Sequence, residues 1–344
     1  MELLKTLSEL PGAPGREERV REFIIEQVKD HVDSWRVDAM GNLICHKKAA
    51  AAAESSERVM LACHMDEIAF IVRFIDDQGF LRIQQLGGFD TRNLFARRVR
   101  IQTRDGGEII GNLNPGGRPI HVATPEERKR IPTIADFYID TGLEPDVVRE
   151  RVRIGDPVTL VQEFTELGEH LVSGKSMDNR VACWLGVRVL QNVKSPKHDL
   201  HVVFTVQEEI GLRGAFTASY QVEPTVGIAL DVTLAVDTPG VKEEEFITRL
   251  GKGTAIKIMD AATVSNKELV DEFIELAESN EIPYQLEVLP LGGTDNAAQQ
   301  RSRIGCRALA LSVPTRYVHT VTETLDRRDL EATLALLERY LSAE

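Results

Sequence analysis

A chain of 344 residues is long enough for one large domain or two ordinary ones. Its 42% hydrophobic and 28% charged residues are ordinary for a chain that folds around a core in water. A net charge of −13, with no cluster of Lys and Arg to meet a phosphate backbone, argues against a nucleic-acid partner. The short basic run ERKR at 127–130 is balanced by nearby acids and reads as solvated surface. No stretch approaches the roughly 20 apolar residues that span a bilayer, so no membrane association is expected. The opening MELLKTLSEL shows no basic region followed by a long apolar core, as a secretory signal would. Cys45, Cys63, Cys183 and Cys306 are far apart and form no CxxC pair. The expectation is a cytoplasmic chain with reduced thiols, Cys63 and Cys183 among them in the core.

In chain order, the N-terminal segment reads as helix, turn, helix. LPGAPG at 10–15 is a breaker cluster, and Val20, Phe23, Ile24 and Val28 then fall on one helical face. A strand pair is predicted at 34–38 and 42–46 around Met40-Gly41. The biased stretch KKAAAAAESSER at 47–58 reads equally as a short exposed helix or a loop. RVMLACH at 58–64 has the length and apolar content of a buried strand. From about 68 to 160 the texture becomes short β-like runs broken by Gly, Asp and Pro, which predicts a small β-barrel inserted into another domain. Beyond 168 strands alternate with helices. Strands are predicted at 201–206, 226–230, 255–258, 284–288 and 307–312, and helices at 179–191, 212–219, 267–280, 295–302 and 329–341. The fold class expected is α/β with an all-β insertion and no internal repeat.

The acidic and His residues fall at informative places. RVMLACH runs into His64-Met65-Asp66, HVVFTVQ runs into Glu208-Glu209, and VGIALD ends on Asp231. Open α/β sheets collect ligands at the carboxyl ends of their strands. Asp178 opens a helix after a Gly-Lys-Ser turn, and His319 follows the last strand and Pro314. Two imidazoles and several carboxylates suit divalent zinc, cobalt or manganese. In an extended His-x-Asp, positions i and i+2 point the same way, so Asp66 can accept the second ring N–H of His64. Adjacent Glu208 and Glu209 cannot take the same geometry at one metal, so one can ligate while the other acts on water. Singly these features are ordinary, since a strand-end His is usually structural and a post-strand Asp usually a cap. Their convergence on one rim is what points to a site. Lys175 in SGKS reads as a loop charge, and SGKS is no phosphate loop, because position 169 is Glu.

The chain resembles the tetrahedral (TET) aminopeptidases, the glutamyl, leucyl and lysyl aminopeptidase family of co-catalytic zinc exopeptidases. The resemblance runs the whole length: LPGAPGREERVREF, ACHMDEIAF, SGKSMDNRVA, TVQEEIGLRGA, ALDVTLAVDTPG, LGGTDNAAQQ and PTRYVHT, in that order. It implies a discontinuous zinc-exopeptidase-like mixed-sheet domain at 1–66 and 164–344, carrying a PDZ-like β-barrel dimerisation domain at 67–163. It also implies two divalent metal ions, zinc or cobalt. Asp178 would bridge them, His64 and Asp231 would complete one, and Glu209 and His319 the other. Glu208 would be the general base and Asp66 the residue orienting His64. The expected partners are short peptides with a free N-terminus and further copies of the chain, as dimers and a tetrahedral dodecamer. Asn296 in LGGTDN, where a small residue is expected, and the Ala-rich loop before His64 depart from the pattern without touching a ligand position.

The activity expected is removal of the N-terminal residue of a short peptide by a metal-activated water, with Glu208 moving the proton. Two alternatives stand beside it: a deacylase or carboxypeptidase using the same ligands, and a non-catalytic oligomeric shell. A glycosidase is disfavoured, because its paired carboxylates need no metal-binding histidines.

Overall fold

The computed structural model describes residues 1–50 and 57–343. The middle of the expected helix or loop at 47–58 therefore falls outside the described residues. Helices α1 (Glu2–Glu9) and α2 (Glu18–Val28) lead into strands β1 (Ser34–Val37), β2 (Leu43–Lys47) and β3 (Arg58–His64). Next come β4 (Ala69–Ile75), β5 (Leu81–Leu86), β6 (Arg97–Gln102), β7 (Glu108–Pro115), α3 (Pro125–Lys129), β8 (Phe137–Asp140), α4 (Pro145–Arg151) and β9 (Pro157–Leu160). The chain continues through β10 (Thr165–Leu167), β11 (Leu171–Gly174), α5 (Met177–Asn192), β12 (Asp199–Thr205), α6 (Arg213–Val222) and β13 (Val226–Leu234). It closes with β14 (Thr254–Met259), α7 (Lys267–Ser279), β15 (Tyr284–Val288), α8 (Asn296–Gln300), β16 (Arg307–Arg316), β17 (Glu323–Asp326) and α9 (Arg327–Leu341).

These strands make two bodies. Among the described residues an eleven-stranded mixed sheet runs β1-β2-β12-β3-β13-β16-β17-β11-β10, with β14 paired to β16 and β15 to β14. Strands β4-β5-β8-β7-β6-β9 close into a separate six-stranded barrel. The barrel has its own core, built on Phe70, Val72, Val99, Ile101, Phe137 and Ile139. Antiparallel pairing throughout closes it without leaving sheet edges.

The middle of the large sheet is parallel: β12, β3, β13 and β16 run side by side in one direction. Six of the seven residues of β3 are buried, as are eight of nine in β13. That near-continuous apolar run is what a strand covered on both faces requires. One face packs against α1, α2, α5, α7 and α9 through Leu4, Leu7, Ile24, Val181, Leu185, Phe273 and Leu337. The other carries a smaller cluster, Ile44, Met60, Ala62 and Val203, under Ala218 and Val222 of α6. Strand β17 is antiparallel to both β16 and β11, so β11 runs with the central strands. Hence the carboxyl ends of β3, β12, β16 and β11 share one rim. Asp231 is an exception to the sequence reading: β13 does not end there but continues to Leu234, paired with β16 as far as Thr315.

Candidate metal centre

The rim brings the sequence-predicted residues together. His64 is the last residue of β3, Asp178 lies at the start of α5, Glu208 and Glu209 follow β12, Asp231 lies within β13, and His319 follows β16. Asp178 has φ −77° and ψ 101°, outside the helical range, and the Asp178–Asn179 peptide is cis.

Asp178 stands between the two histidines. Its Oδ1 is 3.2 Å from Nε2 of His64, and its Oδ2 is 3.4 Å from Nε2 of His319. Around His64 Nε2, Asp231 Oδ1 and Glu208 Oε2 each lie at 3.9 Å. His319 Nε2 is also 3.4 Å from Glu209 Oε2. Two groups of ligand atoms fall within 4.8 Å of one another: His64 with Asp178 and Glu209, and His64 with Glu208 and Asp231. Glu209 thus reaches both histidines, and the shorter contact is to His319.

Asp66 meets His64 through two oxygens. The closest acceptor at Nδ1 of His64 is the Asp66 carbonyl oxygen, at 3.1 Å; the Asp66 carboxylate is at 3.6 Å. That carboxylate accepts the backbone N–H of Glu208 (3.0 Å) and of Glu209 (3.1 Å). One residue therefore ties the β3 end to the Glu-Glu turn, contacting the His64 ring and the backbone of both glutamates.

Electrostatics set this cluster apart from a solvated acidic surface. Burial would depress the His64 imidazole, but Glu208, Asp178, Asp66 and Asp231 around it hold it well above its usual value. Burial raises Glu208 well above the carboxylate range; His64 opposes this, and Asp231, Asp295 and Asp66 add to the rise. Burial likewise pushes Asp231 up to about 8, against the opposing pull of His64. Asp178 moves the other way: its burial is outweighed by hydrogen bonds to His319 and His64, which keep it below the carboxylate range. Buried like charges of this density are costly unless a cation meets them. Oε1 of Glu209 is buried with no hydrogen-bond partner among the described residues. An orphaned oxygen beside an imidazole–carboxylate donor set fits a divalent ion such as zinc, cobalt or manganese.

The cluster floors a cavity of about 380 Å³ whose walls include Leu234, Leu289, Leu291 and Val318. Sites of this size take small molecules or one end of a chain, not folded protein. The barrel reaches the rim: Val321, just beyond His319, sits in the barrel core. At Gly87, with φ +90°, a Cβ would lie 2.7 Å from Ile68 Cγ2 and 3.3 Å from Glu209 Oε2. Only glycine lets the barrel loop pass this close in that conformation.

Four supporting groups went unassigned in the sequence reading. Glu323, buried on β17, accepts the backbone N–H of Asp178 (3.0 Å) and of His319 (2.7 Å). Its signal was only an acid four residues after His319. Asp295, in the LGGTDN stretch, accepts the Thr205 hydroxyl at 2.5 Å. Lys257 lines the cavity, 2.8 Å from Glu287 and 3.6 Å from Asp260. Lys175 is not a loop charge: it is buried and donates to both oxygens of Glu67, at 2.8 and 2.7 Å. Arg180, fully buried, donates to the carbonyls of Met65 and Leu7. These cations clamp the N-terminal segment and the β3 end beneath the site. Cys45, Cys63 and Cys183 are buried free thiols, in line with the core reading.

A mixed α/β sheet with two histidines and four carboxylates gathered on one rim defines a metal-dependent hydrolase. Comparison with known proteins narrows the class. The M42 glutamyl aminopeptidase family model matches residues 41–336. The lysyl aminopeptidase of Pyrococcus furiosus is 34% identical over 349 residues, covering 99% of this chain and 96% of its own. The structure of an aminopeptidase from the archaeon Desulfurococcus kamchatkensis superposes with a TM-score of 0.93 at 35% identity, covering 100% of this chain and 94% of that one. The TET1 peptidase of Pyrococcus horikoshii, which can assemble into a tetrahedron or a large octahedral shell, gives a TM-score of 0.87 at 32% identity, covering 100% and 99%. The chain belongs to the M42 glutamyl aminopeptidase family. It is a metal-dependent aminopeptidase.

Proposed function

We propose that the centre holds two divalent ions, zinc or cobalt, and that the chain removes the N-terminal residue from short peptides. The observation that carries this reading is Asp178, whose two oxygens face different histidines at 3.2 and 3.4 Å. His64 and Asp231 complete one ion's set, and Glu209 and His319 the other's. Bound divalent ions supply Lewis acidity that polarises the scissile carbonyl and brings a water's pKa towards neutrality.

The protein's own groups do the rest. Glu208, buried beside the His64 set, takes the proton of the attacking water and returns one to the leaving amine. Burial raises its basicity, the direction a proton acceptor needs. Asp66 holds Glu208 and Glu209 by their backbone N–H groups and holds His64 by its carbonyl, so base and ligands keep a fixed separation. Glu209, whose Oε1 has no hydrogen-bond partner among the described residues, is the acceptor nearest to hand for the α-amine of the substrate, which favours a free N-terminus over an internal peptide bond. The apolar walls formed by Leu234, Leu289, Leu291 and Val318 receive the first side chain.

We divide the chain at 1–66 with 164–344, and 67–163; the separate cores support this reading, although Val321 joins the barrel core. We read the barrel as a PDZ-like dimerisation unit within a zinc-exopeptidase-like chain that works in the cytoplasm and builds a dodecamer. Phe74, Phe95, Ile110, Ile120 and Ile154 are exposed on and around the barrel, apolar surface of the kind that self-association covers. Chelation followed by titration with Zn²⁺ or Co²⁺, with mass measured by light scattering, tests both parts. Activity should return up to two equivalents per subunit on a particle of twelve subunits. Full activity at one equivalent would refute the dinuclear reading, and a particle of two subunits would refute the shell.

A further inference from the structure

Away from the catalytic rim, two histidines and an aspartate converge on a different part of the sheet. His46 on β2 and His201 on β12 are direct partners in the antiparallel register, so both side chains leave the same face. Asp199 precedes His201 by two residues and shares that face. The face is the one that carries Ile44, Met60 and Val203 under α6, and the three polar groups continue it past the apolar cluster. All three are partly exposed.

The two imidazoles stack, with ring centroids 4.4 Å apart and planes 11° from parallel. Both direct Nε2 at the one carboxylate: His46 Nε2 lies 2.6 Å from Asp199 Oδ1, and His201 Nε2 lies 3.4 Å from Asp199 Oδ2. Arg58 is a further polar neighbour, with its Nε 3.7 Å from Asp199 Oδ2. The ligand atoms of the three residues all lie within 4.8 Å of one another. Around a tetrahedral ion with bonds of about 2.0–2.1 Å, neighbouring ligand atoms sit about 3.3–3.4 Å apart. The His201–Asp199 separation already has that value. The His46–Asp199 contact is a hydrogen bond that an ion would replace, and admitting the ion requires the partly exposed Asp199 carboxylate to turn outward and one stacked ring to tilt, because an imidazole nitrogen ligates in its ring plane.

We propose that His46, Asp199 and His201 form a third transition-metal site on each subunit, separate from the catalytic centre and suited to Zn²⁺ or Cu²⁺. It stands apart because Asp199 and Thr205 mark opposite ends of β12, and Thr205 is the register partner of His64. Four residues of strand from His201, and six from Asp199, put about 13–20 Å between the two sites. Its affinity is expected to be roughly 10–100-fold below that of a fully supported His site. Nδ1 of His201 is buried with no acceptor among the described residues to fix the ligating tautomer, and Arg58 competes for the carboxylate. The site therefore fills last and empties first.

The test uses the whole assembled protein. Chelated enzyme is reloaded with excess Zn²⁺, free ion is removed, and bound zinc per subunit is measured by mass spectrometry beside protein concentration. Wild type should hold one zinc more than Asp199→Asn and one more than His201→Ala, while all three hydrolyse peptide amides at the same rate. Equal zinc in the three proteins would overturn the proposal and leave a stacked His–Asp ion pair. A measurement on wild type alone covers the case in which a variant fails to assemble. Cu²⁺ at this site should show electron-spin superhyperfine splitting from two nitrogens, whereas each ion of the catalytic centre as assigned meets one imidazole. Single-nitrogen spectra throughout a titration to three equivalents would equally overturn it.

Discussion

Replacing Glu208 by Gln keeps the volume and shape of the side chain and removes its capacity to take a proton. The backbone N–H of residue 208 still donates to Asp66 Oδ1 at 3.0 Å, so the turn that also carries Glu209 stays in place. Asp178, Asp231, His64, Glu209 and His319 are untouched, and metal content should remain that of wild type. What is lost is general-base and general-acid assistance, roughly 10²–10⁴-fold in rate. That corresponds to about 3–5 kcal/mol of transition-state stabilisation. The loss should fall on kcat with KM little changed, because the substrate's amine and first side chain meet other groups. The assay is steady-state hydrolysis of an aminoacyl amide on protein whose zinc or cobalt has been quantified. Activity within about tenfold of wild type would remove Glu208 from proton transfer, since even weak general-base assistance exceeds that. Loss of one ion in parallel with activity would make Glu208 a ligand instead, a role its 3.9 Å approach to His64 Nε2 also permits.

Three further outcomes follow from the same geometry. Glu323→Gln disturbs the acceptor shared by the backbone N–H groups of Asp178 and His319, and metal affinity should fall roughly 10–100-fold in competition with a chelator. Unchanged affinity would show that those two residues hold themselves. Lys175→Met leaves the Glu67 carboxylate buried without its main cation and should cost about 3–5 kcal/mol, read by denaturant unfolding. Adding Glu67→Gln to that variant should recover part of the loss, and no recovery would assign the damage to packing. Thermal stability of the chelated protein should fall as pH rises from 5 to 8. Asp231 and Glu323 are each raised to about 8, chiefly by burial, so the stability present below their unfolded values is lost as pH climbs through the folded ones. Raised His64 and His319 act in the same direction, and lowered Asp178 titrates outside that range. Metal replaces those protons, so reloaded enzyme should show a flatter profile. A stability maximum near pH 8 in the chelated protein would contradict the burial argument.

The rim was legible because strands covered on both faces announce themselves as apolar runs, and the chemistry sits where those runs stop. RVMLACH marks β3 to the residue and HVVFTVQ marks β12 within two residues, and both lead into ligand candidates. Asp231 broke that rule because pairing with β16 carries its strand onward, and long-range register leaves no local trace. Lys175 was misread because its partner Glu67 lies 108 positions away, and nothing near SGKS declares a buried carboxylate. Glu323 acts on backbone groups of two other residues, so its part is invisible until α5 and the His319 loop are placed. The facing of His46 and His201 across β2 and β12 is of the same kind. The barrel emerged from its broken β texture, whereas its approach to the metal rim through Gly87 and Val321 came only with the structure.

The central claim, a metal-dependent enzyme that requires a free N-terminus, is tested most directly by a panel of aminoacyl chromogenic amides and their N-acetylated counterparts. Each is assayed with native, chelated and metal-restored protein. The account predicts cleavage of the free-amine substrates alone, abolished by chelation and recovered with zinc or cobalt. Cleavage of the acetylated set would contradict it and identify a deacylase built on the same ligands, and no cleavage of either set after metal is restored would leave a shell without catalysis.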